Sequence, residues 1–329
     1  MSLLAELEAA AKVVYGAMQP TPQIAWPLLA QRVGTELWVK HENHAPTGSF
    51  KARSGLVYLD WLRRERPDGR GVICATRGNF GQGVTFAARR HSIPAVVVVP
   101  RGNSIEKNVA MLALGAELVE HGHDFQEAYE YAQARAQRSG FHLVRSFHRL
   151  LWFGTASYGL ELLRAVPDLD TVYVPVGQGS GICGLIAARD ALNHRTRIVG
   201  VVPKNAETYA LSFAARRCIA TESALTIADG MACRVPDADA LEIILRGVER
   251  VVTVSEAEIC AAMRHYFTDT HNVAEGAGAA PLAAVLNEKA AVKGKQVGVV
   301  LSGGNVDRSV YQQVLRPPGV AASVPEPPE

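Results

Sequence analysis

Pro46-Thr47-Gly48-Ser49-Phe50-Lys51-Ala52-Arg53 is the stretch from which the fold and the chemistry of this chain can be argued. Its proline and glycine predict a turn immediately before Lys51, and Thr47 and Ser49 are residues of the kind that cap a following helix. A lysine at a helix start lies at the positive end of the helix dipole, which disfavours the charged form of its amine. Partial burial lowers the pKa of such an amine further. A neutral amine is what imine formation with an aldehyde requires, although the eight residues alone fit a surface lysine equally well.

Three glycine-rich segments follow in the chain, each at the end of a predicted strand. They are Gly78-Asn79-Phe80-Gly81-Gln82-Gly83, Pro175-Val176-Gly177-Gln178-Gly179-Ser180-Gly181 and Leu301-Ser302-Gly303-Gly304-Asn305-Val306-Asp307. Strands predicted at 71–75, 94–99, 171–176 and 296–301 alternate with helical patterns, which favours an α/β fold with mostly parallel sheets. The strand, glycine loop and helix around residues 171–192 form a phosphate-binding arrangement.

In this order, the four segments resemble the lysine signature and glycine motifs of fold-type II pyridoxal-phosphate enzymes, specifically the threonine/serine dehydratase family. The resemblance covers roughly residues 18–314. It implies two α/β lobes similar to those of the tryptophan synthase β subunit, with open, mostly parallel sheets flanked by helices and the cofactor between the lobes. We expect a large lobe at 1–45 and 147–315 and a small lobe at 46–146, and the Pro/Ala-rich tail 316–329 is predicted to be disordered.

The resemblance also assigns roles to single residues. Lys51 would bind pyridoxal 5'-phosphate as an imine and then act as the catalytic base. The remaining cofactor contacts would be Phe50, Asn79, Gly177, Gln178, Gly179, Ser180, Gly181 and Ser302, and the substrate contacts would be Thr76, Arg77, Gly78, Asn79 and Phe80. Taken without the resemblance, Ser302 is a turn residue, Asn79 a helix cap and Phe50 a core aromatic.

The implied reaction is α,β-elimination from a β-hydroxy amino acid such as threonine or serine, which gives a 2-oxo acid and ammonia. A hydroxyl at Ser302 cannot keep the pyridine nitrogen protonated, and this favours loss of a β-leaving group over transamination. Many family members carry Ser-Ser where this chain has Thr76 and Arg77. Arginine is not a base at neutral pH, so Arg77 argues against an amino-acid racemase. Our hypothesis is that Arg77 recognises a second substrate carboxylate, as in 3-hydroxyaspartate; the alternative is a structural ion pair or a solvent-facing side chain.

A dinucleotide site is a second reading of the same glycines. Gly179-Ser180-Gly181-Ile182-Cys183-Gly184 matches G-x-G-x-x-G, but the next strand ends at Val202-Pro203-Lys204-Asn205 without the carboxylate that such a site requires. A nicotinamide oxidoreductase nevertheless remains an alternative to the dehydratase. A second alternative is a protein that binds pyridoxal phosphate but catalyses no reaction. Because Val202 and Thr208 stand where related enzymes have cation-binding acids, we expect no metal ion.

Composition limits which partners and which cellular location are expected for this chain. The formal net charge of +2 and the lack of a basic run argue against a nucleic-acid partner, and no apolar stretch is long enough to span a membrane. Five scattered cysteines predict buried free thiols in a reducing cytoplasm. We expect a cytoplasmic enzyme with a small amino-acid substrate, assembled as a homodimer or a larger homo-oligomer.

Overall fold

The computed structural model describes residues 2–316, which form two separate sheets flanked by helices. The predicted tail lies outside these residues from 317 onward. The strands are β1 (Gln23–Ala25), β2 (Glu36–His41), β3 (Val72–Ala75), β4 (Ala95–Val99), β5 (Glu117–Glu120), β6 (His142–Leu143), β7 (Thr171–Pro175), β8 (Arg197–Pro203), β9 (Arg250–Val254) and β10 (Gln296–Leu301). The two-lobed, mostly parallel α/β architecture is confirmed.

The helices fill the intervals between the strands and cover both sheets. They are α1 (Leu3–Tyr15), α2 (Pro27–Val33), α3 (Lys51–Glu65), α4 (Asn79–Arg90), α5 (Ile105–Ala113), α6 (Phe125–Ser139), α7 (Arg149–Ala165), α8 (Ser180–Ala191), α9 (Thr208–Ala215), α10 (Ala238–Gly247), α11 (Glu256–Thr270), α12 (Gly276–Asn287), α13 (Lys289–Val292) and α14 (Arg308–Leu315). Helix α9 lies in residues 204–236, where the sequence shows only weak periodicity.

The larger sheet has the strand order β1-β2-β10-β7-β8-β9, and only β1 runs antiparallel to its neighbour. The smaller sheet has the order β5-β4-β3-β6 and is parallel throughout. Every residue of β3 and β4 is buried, as expected for β-branched runs covered on both faces of a parallel sheet. All four strands of this sheet lie within residues 46–146, although the lobe boundaries themselves stay a prediction.

Helix α3 is held between α4 and α7 by direct backbone contact. A Cβ on Gly55 would lie 2.2 Å from the carbonyl oxygen of Gly83, and one on Gly83 would lie 2.2 Å from that of Lys51. On the other side of α3, a Cβ on Gly154 would lie 2.2 Å from the carbonyl oxygen of Arg53. Because a side chain at any of these glycines would force the helices apart, they fix where α3 begins.

Away from the interlobe region, helix ends follow from their local sequence. The Ser2 hydroxyl accepts from an amide in the first turn of α1, and Asp124 does the same for α6, which ends at Gly140 in the left-handed conformation. Ser255 and Glu258 form the reciprocal capping box expected at the start of α11.

The cysteine prediction is correct only in part. All five thiols are free, and Cys74, Cys183 and Cys233 are buried, but Cys218 is exposed and Cys260 is half-buried. Cys218 follows α9, in a segment whose weak periodicity cannot distinguish a buried from an exposed position. Within residues 2–316, no helix has the length and apolar character needed to cross a membrane.

Candidate active site

A cavity of about 890 Å³, counting the space open to solvent at its mouth, lies between the two sheets. It is lined by the start of α3, the β3–α4 loop, the β7–α8 loop and the residue after β10, all at the carboxyl ends of strands where α/β folds bind ligands. Of the residues predicted for the site, all except Gly181 line this cavity. Gly181 lies one layer deeper, where its carbonyl accepts a hydrogen bond from Tyr158.

Lys51 is the first residue of α3 and faces this cavity. Its amine donates to the Ser180 hydroxyl at 2.9 Å and lies 4.7 Å from the centroid of the Phe50 ring and 5.7 Å from that of Phe80. Burial lowers the pKa of Lys51 to about 8. The amine therefore has a hydroxyl and two aromatic rings as neighbours, and a substantial neutral fraction is available near physiological pH.

The turn before Lys51 is built differently from the sequence prediction. No side chain caps α3, whose N-cap residue is Phe50, so capping by Thr47 or Ser49 is wrong. Ser49 instead forms an isolated antiparallel bridge with Gly303, and the Phe50 amide donates to the Ser302 carbonyl at 3.1 Å. The backbone pairing with the end of β10 replaces the cap, and it brings Lys51 and Ser302 to one wall of the cavity.

Gly48 shows why this turn needs glycine. Its φ of +67° is in the left-handed region, and a Cβ there would lie 2.4 Å from the side-chain oxygen of Asn305. Asn305 in turn donates to the Thr47 carbonyl at 2.7 Å and to the Asn79 side chain at 2.8 Å. The turn before the lysine is thus connected directly to the start of α4.

The β7–α8 loop has the geometry of an anion cradle. Helix α8 begins at Ser180, directly after Gly179 of the glycine loop, and no side chain caps it. A Cβ on Gly177 would lie 2.1 Å from the Gly230 carbonyl oxygen, and Gly179 has a φ of +94°. Within the described residues, the amides of residues 179–181 have no hydrogen-bond acceptor. These free donors at a helix N-terminus suit a phosphate.

The β3–α4 loop offers a second, smaller set of amide donors. The Thr76 hydroxyl accepts from the amides of Gly78 at 2.9 Å and Gly81 at 3.3 Å, which fixes the loop. It leaves the amides of Asn79 and Phe80 without an acceptor in the part of the chain that the structure describes. A carboxylate placed here would meet two backbone donors and the helix dipole.

Asn79 does not cap α4, because Gly78 occupies that position. The Asn79 side chain instead donates to Glu275 Oε1 at 2.7 Å and accepts from Asn305. Its orientation therefore depends on residues more than 190 positions away, and a helix-capping pattern cannot reveal that.

Three charged residues of the cavity wall were not predicted as site residues from the sequence. The amine of Lys107 lies 2.8 Å from Asp229 and 3.3 Å from Glu275, and we call these three residues the cavity cluster. Burial raises the pKa of Glu275 and outweighs the opposing effect of Lys107. Asp229 precedes Gly230 and Glu275 precedes Gly276, whereas Lys107 lies on α5 with nothing in its neighbouring sequence to mark it.

A second group of charges is buried behind α3, on the side away from the cavity. Arg53 donates to Glu42 at 2.8 Å and to Glu161 at 2.6 Å, and Lys40 donates to Glu161 at 2.5 Å. We call these four residues the closed cluster. Burial would raise the pKa of Glu161, but its pairs with Arg53 and Lys40 outweigh that effect and lower it. The charges of the two cations and two carboxylates neutralise one another in a region that solvent does not reach.

The residues of the cavity fit pyridoxal phosphate. Three features surround one cavity of suitable size. They are the Lys51 amine with its lowered pKa, the uncapped start of α8 with free amides, and the glycine loop before α8, which has no room for a Cβ at Gly177. Within residues 2–316, no group of three or more His, Cys, Asp or Glu side chains is arranged to hold a metal ion. The expectation that the protein binds no metal stays a prediction.

Comparison with known proteins agrees with this fit. A family model described as "Pyridoxal-phosphate dependent enzyme" matches residues 14–303. L-threonine ammonia-lyase of Thermotoga maritima is 34% identical over 316 residues, which cover 96% of this chain and 78% of the relative. Among solved structures, threonine deaminase isoform 2 of Solanum lycopersicum matches with a TM-score of 0.89 at 28% identity over 96% of this chain and 94% of that one. Maize serine racemase matches with a TM-score of 0.88 at 28% identity, covering 94% and 95%.

Proposed function

The chain belongs to the family of pyridoxal-phosphate-dependent enzymes, and from its site we propose that it is an ammonia-lyase that dehydrates a β-hydroxy amino acid. The products are a 2-oxo acid and ammonia; the water lost in the elimination is regained in the final hydrolysis. The similarity to L-threonine ammonia-lyases supports this reaction class, and threonine and serine are the simplest substrates of the required chemistry.

The observation that carries the proposal is the environment of Lys51. Its amine is held at 2.9 Å from the Ser180 hydroxyl, and burial lowers its pKa to about 8. An amine with these properties can bind an aldehyde and can later accept a proton near neutral pH. In its bound form, pyridoxal phosphate supplies the aldehyde carbon and an electron-withdrawing ring, which make the Cα–H bond of an attached amino acid acidic.

We assign the remaining residues by what each can donate or accept. The amides of residues 179–181 would bind the phosphate, and the amides of Asn79 and Phe80 would bind the substrate α-carboxylate. Lys51 Nζ would then take the Cα proton, and the β-hydroxyl would leave. Phe50 closes one side of the cavity, and Ser302, at the end of β10, provides a neutral partner where a carboxylate would add charge.

Elimination is favoured over racemisation by position 77. A racemase needs a proton donor on the face of Cα opposite to the lysine, and an arginine does not exchange protons near neutral pH. We therefore expect no D-enantiomer when an L-amino acid is incubated with the enzyme, even though maize serine racemase has the same fold. Chiral chromatography of the remaining substrate measures this directly.

The test is removal of the amine. Lys51→Ala should abolish release of 2-oxo acid from L-serine and L-threonine, together with the visible absorbance of the bound cofactor. Borohydride reduction of the wild type should leave the label on the peptide that contains Lys51. Lys293→Ala, at an exposed lysine beyond α13, is the matched control and should keep both properties. Turnover that survives in Lys51→Ala, or a label on another peptide, would refute the assignment.

The state of assembly and the location of the enzyme are part of the same proposal. We propose a homodimer or larger homo-oligomer in the cytoplasm, in keeping with free rather than paired cysteines. Light scattering coupled to gel filtration measures the mass, and a monomer would contradict the first half of this proposal.

A further inference from the structure

Arg77 is the residue of the β3–α4 loop that the proposed reaction does not use. Its side chain lines the main cavity and two openings beside it. One opening is bordered by Arg145 and Arg234, and the other by Lys107 and Asp307. Arg77 therefore lies where the main cavity meets both openings, next to the loop amides that would bind the α-carboxylate.

The guanidinium of Arg77 has no partner from the chain. Within residues 2–316, no carboxylate oxygen lies within 4.0 Å of its nitrogens, so the structural ion pair left open by the sequence is wrong. Its Nε is buried and makes no hydrogen bond, while the residue as a whole is half-buried. A buried donor without an acceptor is uncommon in a folded protein and calls for an explanation.

The neighbouring charges show that the missing partner does not come from the cavity wall. Asp229 and Glu275 are the carboxylates that line the main cavity, and Lys107 pairs with both of them. At the outer opening, Arg234 pairs with Asp124 at 2.8 Å and Arg145 lies 4.0 Å from Asp237. The carboxylate of Glu222 also borders the outer opening, but it lies more than 4.0 Å from the Arg77 nitrogens, so Arg77 is a fixed positive charge of the main cavity without a paired carboxylate in residues 2–316.

We propose that the Arg77 guanidinium binds a second carboxylate carried on Cβ of the substrate, so that the preferred substrates are 2-amino-3-hydroxydicarboxylates. This inference rests on the proposed ammonia-lyase activity and narrows its substrate class. The α-carboxylate has the free amides of Asn79 and Phe80, whereas the planar guanidinium offers paired donors that match a carboxylate in two hydrogen bonds. 3-Hydroxyaspartate has both groups and the β-hydroxyl that leaves.

The experiment compares kcat/KM for 3-hydroxyaspartate, L-threonine and L-serine in the wild type and in Arg77→Gln and Arg77→Lys. For Arg77→Gln we expect a loss of about 10²–10³-fold on 3-hydroxyaspartate, in line with the removal of a group built to bind one substrate feature. The loss on threonine and serine should stay within about threefold, the level of surface changes. Arg77→Lys should recover part of the loss, since it keeps the charge but not the paired donors.

Arg145→Gln is the matched control, because it removes the same charge from a side chain that is 66% exposed at the outer opening. It should leave all three substrates nearly unchanged. A readout independent of turnover is calorimetric binding of malate and lactate to the holoenzyme, where Arg77→Gln should weaken malate binding and spare lactate.

The possible outcomes separate this inference from the proposal on which it rests. An equal loss on all substrates would mean that Arg77 binds the α-carboxylate or supports the loop, and it would overturn the second-carboxylate site. So would a wild type that prefers threonine to 3-hydroxyaspartate. Absence of 2-oxo acid from every hydroxy amino acid would instead overturn the ammonia-lyase proposal itself.

Discussion

The closed cluster behind α3 and the cavity cluster in front of it are both charged and largely buried, yet they are compensated differently. In the closed cluster, Arg53 and Glu42 are both 0% exposed, and each charge has a partner of opposite sign. In the cavity cluster, Lys107 is the single cation for two carboxylates, and the side chain of Asp229 is 32% exposed. Arg77, which lines the same cavity, forms no ion pair within residues 2–316, and its buried Nε makes no hydrogen bond.

This difference indicates which buried charges of the molecule can bind a ligand and which stabilise the fold. Charges that satisfy one another hold helices in place and have no capacity left for a ligand. Charges that are paired incompletely beside an open cavity are available to substrate and cofactor. A shifted pKa does not separate the two cases, since pKa values are shifted in both clusters. The balance of charge does, because the closed cluster has two cations for two carboxylates and the cavity cluster has one cation for two.

The most severe way to break the comparison is to remove the central cation of the closed cluster. Arg53→Met leaves Glu42 and Glu161 buried with Lys40 as the remaining cation, so we expect a loss of about 3–5 kcal/mol in the free energy of unfolding. Urea denaturation followed by circular dichroism measures it. Activity should fall as well, because Arg53 lies two residues after Lys51 on the first turn of α3.

Arg64→Met is the matched control for that experiment. It lies on the same helix, is 69% exposed and pairs with Asp60 in the preceding turn. Its removal should cost no more than about 1 kcal/mol, as for other exposed pairs. If the two arginine variants lost the same stability, the closed cluster would not have the structural role given to it here.

Breaking the cavity cluster should cost less stability. Lys107→Met leaves two carboxylates, but Asp229 is partly hydrated, and Glu275 can take up a proton because burial raises its pKa. We expect a loss of about 1–3 kcal/mol in the free energy of unfolding, with a larger effect on turnover, since Glu275 orients Asn79. Lys293→Met serves as the surface control. A loss of stability as large as that of Arg53→Met would contradict the distinction.

The smallest effect, and the sharpest comparison, is the response of the two clusters to acid. The pKa of Glu161 is below its usual 4.5, so its stabilising contribution is present above that value and is lost as the pH falls through the folded pKa. The pKa of Glu275 is above 4.5, so its contribution is present at low pH and is lost as the pH rises through the folded pKa. Acid should therefore weaken the closed cluster and strengthen the cavity cluster.

Glu161→Gln and Glu275→Gln test this difference in sign. Unfolding free energies between about pH 3 and pH 7 should show the first substitution becoming more destabilising as the pH rises. The second should become less destabilising over the same range. Parallel trends in the two variants would show that the clusters are not electrostatically distinct.

Much of the fold could be predicted because its signals are local. The valine-rich β4, the capping serines of α1 and α11 and the Gly140 stop of α6 each depend on neighbours in the chain. The position of β10 between β2 and β7 could not be predicted, because pairing between strands more than 120 residues apart leaves no periodicity in the sequence. The position of α9 was missed for the related reason that tertiary packing outweighs weak local pattern.

The same division applies to the candidate site. The amine and the glycine loops are visible in the sequence because their backbone requirements select residue types, as at Gly48 and Gly179. Lys107 was not identified, since its partners lie 122 and 168 positions away along the chain. Ser49 was assigned to the wrong role, because its backbone pairing with Gly303 replaces the cap that its side chain would provide.

That pairing also has a mechanical consequence. The Phe50 amide and the Ser302 carbonyl share a hydrogen bond, and Ser49 pairs with Gly303 one step further on. This backbone pairing holds Lys51 at the edge of the larger sheet. In the chain, however, Lys51 precedes all four strands of the smaller sheet. Because the Lys51 carbonyl also packs against Gly83 of α4, the lysine and the loop of residues 76–80 should keep their spacing if the smaller sheet tilts during turnover.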